Sequence, residues 1–296
     1  MMIPHSNPPH HFFSNHEKKT SFLRLWSNQL LTTLCVLFSF FTLVPLFSLL
    51  YLLIHKGLPL LHFSVFTKLP PPPGLHGGGF GNAIIGTITM VGIATLLSAP
   101  VGILGAIYIS EYAPHSSLTA TVRFIAKLLT GIPSIICGAF AFALVVLHTG
   151  QFSALAGGAA LSILMLPTIL LTSEQALMGV PSSYRDASYG LGATPFQTIW
   201  RIVLPEALPA MMMGMMLAVA RAAGETAPVL FTALFSQQWA SSIMEPTASL
   251  SVLIYNFSAL PYHYQVQMAW TASLVLVAMV TGTNILAQLL FRRKFQ

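Results

Sequence analysis

The chain has 296 residues, of which 55% are hydrophobic and only 7% are charged. Soluble domains carry roughly one quarter charged residues, so this composition excludes a soluble globular protein. We predict an all-helical integral membrane protein. The formal net charge of +6 is then an orientation signal and gives no reason to expect nucleic acid as a partner.

The N-terminal segment is rich in proline and histidine and lacks an apolar period. We therefore predict a disordered cytoplasmic tail over residues 1–25. Its histidines are joined by no cysteine or acidic cluster, so we expect no metal site. The apolar run at residues 29–54 is too long for the core of a cleavable signal peptide, and it predicts the first transmembrane helix.

Residues 55–81 contain four consecutive prolines followed by a glycine cluster. This composition is typical of a stiff and then a flexible segment, and we predict a periplasmic loop. The glycines follow no predicted strand, and no P-loop motif occurs anywhere in the sequence. We therefore expect the chain to bind no ATP or other cofactor and to be no enzyme; ATP-driven transport would need a separate ATPase.

Further apolar runs near the roughly 20 residues that cross a bilayer predict the remaining spans. They lie at residues 82–109, 124–147, 154–173, 210–235 and 265–291. Six spans place both termini, including the short tail at residues 292–296, on the same side. Most of the lysines and arginines share that side, which predicts that it is cytoplasmic, together with the polar loop at residues 174–209.

The polar loop contains a frame of an acid, alanine and a small residue, then glycine, then Ile-x-Leu-Pro. Its fixed positions are Asp186, Ala187, Ser188, Gly192, Ile202, Leu204 and Pro205. Ser183 and Gly192 are expected to start and end one short helix, and Thr194 with Gln197 predicts a capping box at the start of another. The frame resembles the EAA loop of importer-type ABC permeases, which implies docking to a cytosolic ATPase.

The fifth predicted span contains an arginine, Arg221, about 17 Å along its axis and near the bilayer middle. Such a charge usually faces a cavity or a partner, and Glu225 lies one helical turn later, where it can pair with Arg221. Pro228 is expected to bend the helix near Gly224. The two charges are either a structural ion pair or part of a translocation path in which Arg221 binds a passing oxyanion.

The third predicted span is interrupted by Gly131 and Pro133 near its cytoplasmic start. These residues predict a point of close packing or flexing.

The segments RAAGETAPVLFTA and TGIPSIICGAFAF resemble the A-type permease subunits of phosphate-specific ABC importers, over roughly residues 80–290. The resemblance implies a type I ABC importer permease (MetI-like) fold with its core at residues 82–291. It also implies a place in a bacterial inner membrane, surrounded by lipid, as half of a phosphate pathway. The implied partners are a C-type phosphate permease subunit, two copies of an ATPase subunit and a periplasmic phosphate-binding protein.

Two other functions remain open from the sequence. One is an ABC permease for another oxyanion, such as sulfate or molybdate. The other is a secondary transporter that works alone, although no internal repeat with broken helices is evident.

Overall fold

A computed structural model describes residues 17–291 of the chain and the side chains of residues 24–289. The chain divides into two compact units, residues 1–52 and residues 53–296. All regular elements in the described range are helical. The prediction of an all-helical fold is therefore confirmed.

The first helix, α1, extends over Glu17–Gly57 and has Pro45 in its interior. Residues 17–25 therefore belong to a helix and not to the predicted disordered tail, of which residues 1–16 lie outside the described range. The physical reason is that a helix, once formed by its apolar segment, extends at little cost because each further residue adds one hydrogen bond.

The second unit continues from the end of α1 as a series of helices joined by short connections. Its elements in chain order are a 3₁₀ turn (Leu58–Leu60), α2 (Ser64–Thr67), α3 (Gly81–Ile107), a π turn (Tyr108–Tyr112), α4 (Ser117–Gly131), α5 (Ser134–Ala141), a π turn (Phe142–Val146), α6 (Leu147–Thr149), α7 (Ala154–Met178), α8 (Ser182–Gly190), α9 (Pro195–Thr198), a π turn (Ile199–Val203), α10 (Leu204–Gly224), α11 (Ala227–Thr232), α12 (Leu250–Ser258) and α13 (His263–Phe291).

Five helical segments of the described chain are long and apolar enough to cross a membrane. They are Arg24–Leu60, Gly81–Tyr112, Ala154–Met178, Pro195–Gly224 and His263–Leu289. A sixth span is reached only if α4 and the segment Ser134–Thr149 are counted together, and these are bent by 106°. The six predicted spans therefore become five uninterrupted helices and one sharply bent pair.

The bend corrects the prediction of one span over residues 124–147. Ile132, which precedes Pro133, has an extended backbone with φ −73° and ψ 133°, because the proline ring excludes the helical region for the residue before it. Helix α4 ends at Gly131 for this reason, and α5 starts in a new direction.

The predicted span at residues 210–235 is also wrong in its bounds. The helix runs without interruption from Pro195 through a π turn and α10 to Gly224. It then breaks at Glu225, which is extended, and α11 begins at Ala227 with Pro228 in its first turn. A proline in the first turn gives up no helical hydrogen bond, so Pro228 starts a new helix and does not bend a continuous one.

The core of the second unit lies where α3, α7 and α10 pack together. Glycines allow these contacts: a Cβ on Gly158 of α7 would lie 2.5 Å from Ile93 of α3, and one on Gly214 of α10 would lie 2.4 Å from Thr172 of α7. Small residues at helix interfaces let the backbones approach closely, which is how helices associate in membranes.

The predicted loop at residues 55–81 is more ordered than its composition suggests, since it contains the end of α1, the 3₁₀ turn and α2. Its proline and glycine segment is held through backbone carbonyls. The buried Gln265 donates from Nε2 to the carbonyl oxygens of Pro72 and Leu75 at 3.1 and 3.2 Å. The Tyr264 hydroxyl donates to the carbonyl oxygen of Gly77 at 3.2 Å. Composition alone could not show these partners, because they are about 190 residues away along the chain.

Candidate functional site

The polar loop folds into two helices, but the second one is longer than predicted. Helix α8 follows Pro181 and has no side-chain cap, so the expected start at Ser183 is wrong. Gly192 has a φ of +82°, which favours glycine because it has no Cβ. The predicted capping box at Thr194 and Gln197 is present, and α9 leads directly into the long helix ending at Gly224.

The frame residues divide into an internal contact and an exposed set. The Ser188 hydroxyl is buried and lies 2.9 Å from the Thr198 hydroxyl, so it joins α8 to α9. Ile202 and Leu204 are half-buried. The exposed members are Asp186, Ala187, Gly192 and Pro205.

Large apolar side chains are exposed on the same loop, and they were not among the residues predicted from the sequence. Leu191, between the two helices, is 90% exposed. Phe196 is 61% exposed and its ring lies 5.8 Å from that of Trp200. An exposed apolar surface with a polar rim is typical of a protein docking site. The detectable signal was the presence of bulky apolar residues within a polar loop.

Two ion pairs lie behind this surface. Arg185 of α8 binds both carboxylate oxygens of Glu111, from Nη2 at 2.6 Å and from Nε at 3.1 Å. Arg123 of α4 binds Glu174 of α7. Both carboxylates are buried. The hydrogen bond with Glu111 raises the pKa of the Arg185 guanidinium further above its usual value, against an opposing effect of burial.

The other charged pair lies at the end of the long helix. Arg221 is in the last turn of α10 and Glu225 is the residue after the helix. Arg221 Nε lies 3.4 Å from Glu225 Oε1, and the Arg221 side chain is 53% exposed. Among the described residues, the Arg221 guanidinium has no other hydrogen-bond or ion-pair partner, so most of its donors are available. A cation in the last helical turn is also favoured by the helix dipole.

The backbone at this helix break is held by α12. The Ser251 hydroxyl donates to the Glu225 carbonyl oxygen at 2.9 Å, and the Leu250 amide donates to the Thr87 hydroxyl of α3 at 2.9 Å. Ser249 caps α12. These three polar residues, Ser251, Thr87 and Ser249, were not predicted from the sequence, although Ser249 before an apolar run is a usual sign of a helix start.

The four predicted hinge residues occupy different surroundings. A Cβ on Gly131 or on Gly224 would meet no neighbouring atom within 4 Å, so neither glycine is a packing point. Close packing occurs instead at Gly138 of α5, where a Cβ would lie 2.6 Å from the Pro228 Cα of α11. The segment after Pro133 and the segment after Gly224 therefore pack directly on each other.

Residues 98–296 match the family described as binding-protein-dependent transport system inner membrane component. The phosphate transport system permease protein PstA of Yersinia pestis is 36% identical over 277 residues, which cover 94% of each chain. A structure of a bacterial alginate ABC transporter, in complex with an alginate pentasaccharide-bound periplasmic protein, has a TM-score of 0.64 at 17% identity, with 92% of this chain and 97% of that chain covered. An inward-facing structure of the MetNI methionine ABC transporter has a TM-score of 0.56 at 21% identity, covering 71% and 92%. These similarities show the MetI-like importer permease fold.

Proposed function

This chain belongs to the family of binding-protein-dependent transport system inner membrane components, and we infer from that premise that it is a permease subunit of an ABC importer for inorganic phosphate. The assignment of phosphate as the substrate rests on the similarity to a PstA protein along nearly the full length of both chains. The subunit would form half of the translocation pathway.

We propose that the loop formed by α8 and α9 docks onto a separate ATPase dimer, which binds the ATP. Leu191, Phe196 and Trp200 offer an apolar contact surface, and the exposed Asp186 adds one charge at its edge. The capping box at Thr194 and the left-handed Gly192 fix the angle between the two helices. The permease itself would hold no cofactor.

At the other end of the long helix, Arg221 is the candidate contact for the anion. Its planar guanidinium can give two parallel hydrogen bonds to phosphate, and the long contact to Glu225 leaves those donors available. Glu225 would weaken the binding of the anion by repulsion, which suits a conduit that must release its solute. The break after Gly224 supports this role, because broken helices in membranes are tolerated where they line a cavity or are buried in protein.

The family description implies a soluble binding protein, and we propose a periplasmic phosphate-binding protein and a C-type phosphate permease as further partners. The excess of lysine and arginine on one side of the predicted spans supports cytoplasmic N- and C-termini in a bacterial inner membrane, within lipid. This orientation places α8 and α9 where an ATPase can reach them.

The second candidate substrate is another tetrahedral oxyanion. A guanidinium binds sulfate and phosphate with the same two-pronged geometry, so Arg221 alone does not select between them. The whole complex therefore has to be tested with competing anions.

The test is ATP hydrolysis by the complete complex in liposomes, with its binding protein and with phosphate, sulfate or molybdate. We expect stimulation by phosphate only. Gly192→Val should abolish stimulation, because a β-branched residue is strongly disfavoured at positive φ. Gly190→Val is the matched control: it adds the same side chain two residues earlier, where no atom lies within 4 Å and φ is not positive.

Each outcome separates the candidate functions. Stimulation by sulfate or molybdate would keep the ABC permease and reject phosphate as the substrate. Phosphate uptake without any ATPase would indicate a secondary transporter. Equal loss in both glycine variants would reject the proposed role of the Gly192 turn.

A further inference from the structure

Four charged residues form a part-buried group next to α8, and we name this group the loop collar. Its members are Glu111, Arg123, Glu174 and Arg185. They belong to four different helical elements: the π turn after α3, then α4, α7 and α8. They do not lie on the exposed apolar surface of the loop, and they are separate from Arg221 and Glu225.

Arg185 connects α8 to two other elements at once. Besides its two bonds to Glu111, its Nη1 donates to the Val180 carbonyl oxygen at 2.7 Å and its Nη2 to that of Leu177 at 3.0 Å. Its side chain therefore binds one carbonyl group in the last turn of α7, one in the connection of residues 179–181, and a carboxylate in the π turn after α3. The bond to Leu177 crosses the connection that separates α7 from α8.

Arg123 makes the reciprocal connection. It pairs with Glu174 of α7, while its Nη1 and Nη2 lie 3.4 Å from the carbonyl oxygens of Pro114 and Ile109. Ile109 lies in the π turn that follows α3, and Pro114 lies in the connection between that turn and α4. Each arginine thus binds a carboxylate of one of the two spans Gly81–Tyr112 and Ala154–Met178 and a backbone carbonyl group of the other.

The low exposure of the two carboxylates indicates that the group fixes a geometry more than it adds stability. The side chains of Glu111 and Glu174 are only 8% and 7% exposed. Burying charge is costly, and a buried ion pair often adds little net stability compared with apolar residues of similar size. What such a pair does provide is one fixed geometry, because a bidentate arginine and carboxylate bind in a single relative orientation.

We propose that the loop collar is a positioning device that makes α8 move as one body with the ends of α3 and α7. This rests on the proposed function, in which an ATPase displaces α8. Without the collar, a displacement of α8 would be taken up by the non-helical connection at residues 179–181. With it, the same displacement reaches both spans. Arg185 is the central positioning residue, since it alone contacts all three elements.

The test measures phosphate transported per ATP hydrolysed, with the complete complex in liposomes. The main variant combines Glu111→Gln with Arg185→Gln, which removes both charges and leaves no buried charge unpaired. We expect normal assembly and continued ATP hydrolysis, with transport per ATP reduced by at least about fivefold, a usual size for coupling between sites. A residue that only supports folding would lower hydrolysis and transport together.

Lys127→Gln is the matched control, because Lys127 is an exposed cation on α4, one turn after Arg123. It should leave transport per ATP unchanged. Arg185→Lys is the second variant: it keeps the charge but loses the two-pronged contact, and should show a smaller loss of coupling.

Unchanged transport per ATP in the assembled main variant would overturn the proposal. If the double variant does not accumulate in the membrane, Arg185→Lys is the deciding variant. If Arg185→Lys transports phosphate at the wild-type ratio to ATP, or if it also fails to accumulate, the loop collar serves folding alone. Measurements on the wild-type complex distinguish a failure of the collar proposal from a failure of the proposed function. If its hydrolysis does not respond to phosphate, the substrate is wrong; if it responds and the variants remain coupled, only the collar is wrong.

Discussion

Arg185, in α8, and Arg221, in the last turn of α10, use the same guanidinium group in opposite ways. Arg185 donates four hydrogen bonds, two to Glu111 and two to backbone carbonyl groups. Within the described part of the chain, Arg221 makes one polar contact, of 3.4 Å to Glu225 just after its helix, and its side chain is 53% exposed compared with 19% for Arg185.

The difference distinguishes a guanidinium whose donors are already used from one whose donors are available. A guanidinium whose donors are already satisfied fixes its surroundings and has little left for a ligand. One that is half exposed, with one long contact, keeps donors for a passing anion. Variants that leave a charge of the loop collar unpaired should therefore change mainly the stability of the complex, and variants at Arg221 should change mainly phosphate transport.

The largest expected effect is on transport at Arg221. Arg221→Gln removes the charged, forked donor, and phosphate uptake should fall by at least about 10-fold, given the roughly 1.5–3 kcal/mol of a hydrogen bond to a charged group. The melting temperature of the purified complex should not change. Uptake by vesicles and a thermal melt of the same preparation measure both. Normal uptake at normal protein level would leave the pair with a purely structural role.

The next effect is on stability at the loop collar. Glu174→Gln leaves Arg123 without its carboxylate and should cost about 2 kcal/mol, less than the range for fully buried pairs because Arg123 is partly solvated. Thermal unfolding of the complex in detergent tests this, with Lys127→Gln as the neutral control. An unchanged melting temperature would mean that water replaces Glu174 without loss.

A smaller effect is expected where α12 holds the helix break. Ser251→Ala removes the hydrogen bond to the Glu225 carbonyl group and should cost about 1 kcal/mol. Uptake should fall modestly, since the break loses a support but Arg221 keeps its donors. Ser258→Ala, at an exposed position of the same helix, is the matched control. Identical behaviour of both variants would show that the break does not depend on Ser251.

The smallest effect concerns the start of α9. Thr194→Ala removes the capping hydrogen bond that the Thr194 hydroxyl accepts from the Gln197 backbone amide. The loss should cost about 1 kcal/mol or less at this exposed site. Ser183→Ala is the control, because α8 has no side-chain cap. Affinity of the permease for the isolated ATPase measures the consequence. Equal affinities would show that docking tolerates a frayed α9.

Two local signals in the sequence predicted contacts that are present. Thr194 and Gln197 predicted a capping box, which helix geometry alone brings together. The spacing of Arg221 and Glu225 predicted their pair, which forms although Glu225 is extended and lies just beyond the helix.

Contacts between distant segments could not be predicted in the same way. Arg185 and Glu111 are 74 positions apart, and Arg123 and Glu174 are 51 apart. Arg123 is one of the lysines and arginines on the predicted cytoplasmic side, where a positive charge is expected without a partner, so nothing in the sequence indicated Glu174. The helix bounds around Pro133 and Pro228 were wrong because a proline ends one helix or begins another according to the packing of its neighbours.

The uninterrupted helix from Pro195 to Gly224 has a mechanical consequence. At 1.5 Å per residue, Arg221 lies about 40 Å along the axis from Pro195. If that helix pivots near its start, a tilt of about 5° would swing the guanidinium sideways by roughly 3 Å, which is the length of a hydrogen bond. A tilt of a few degrees would therefore be enough to make or break contact with an anion.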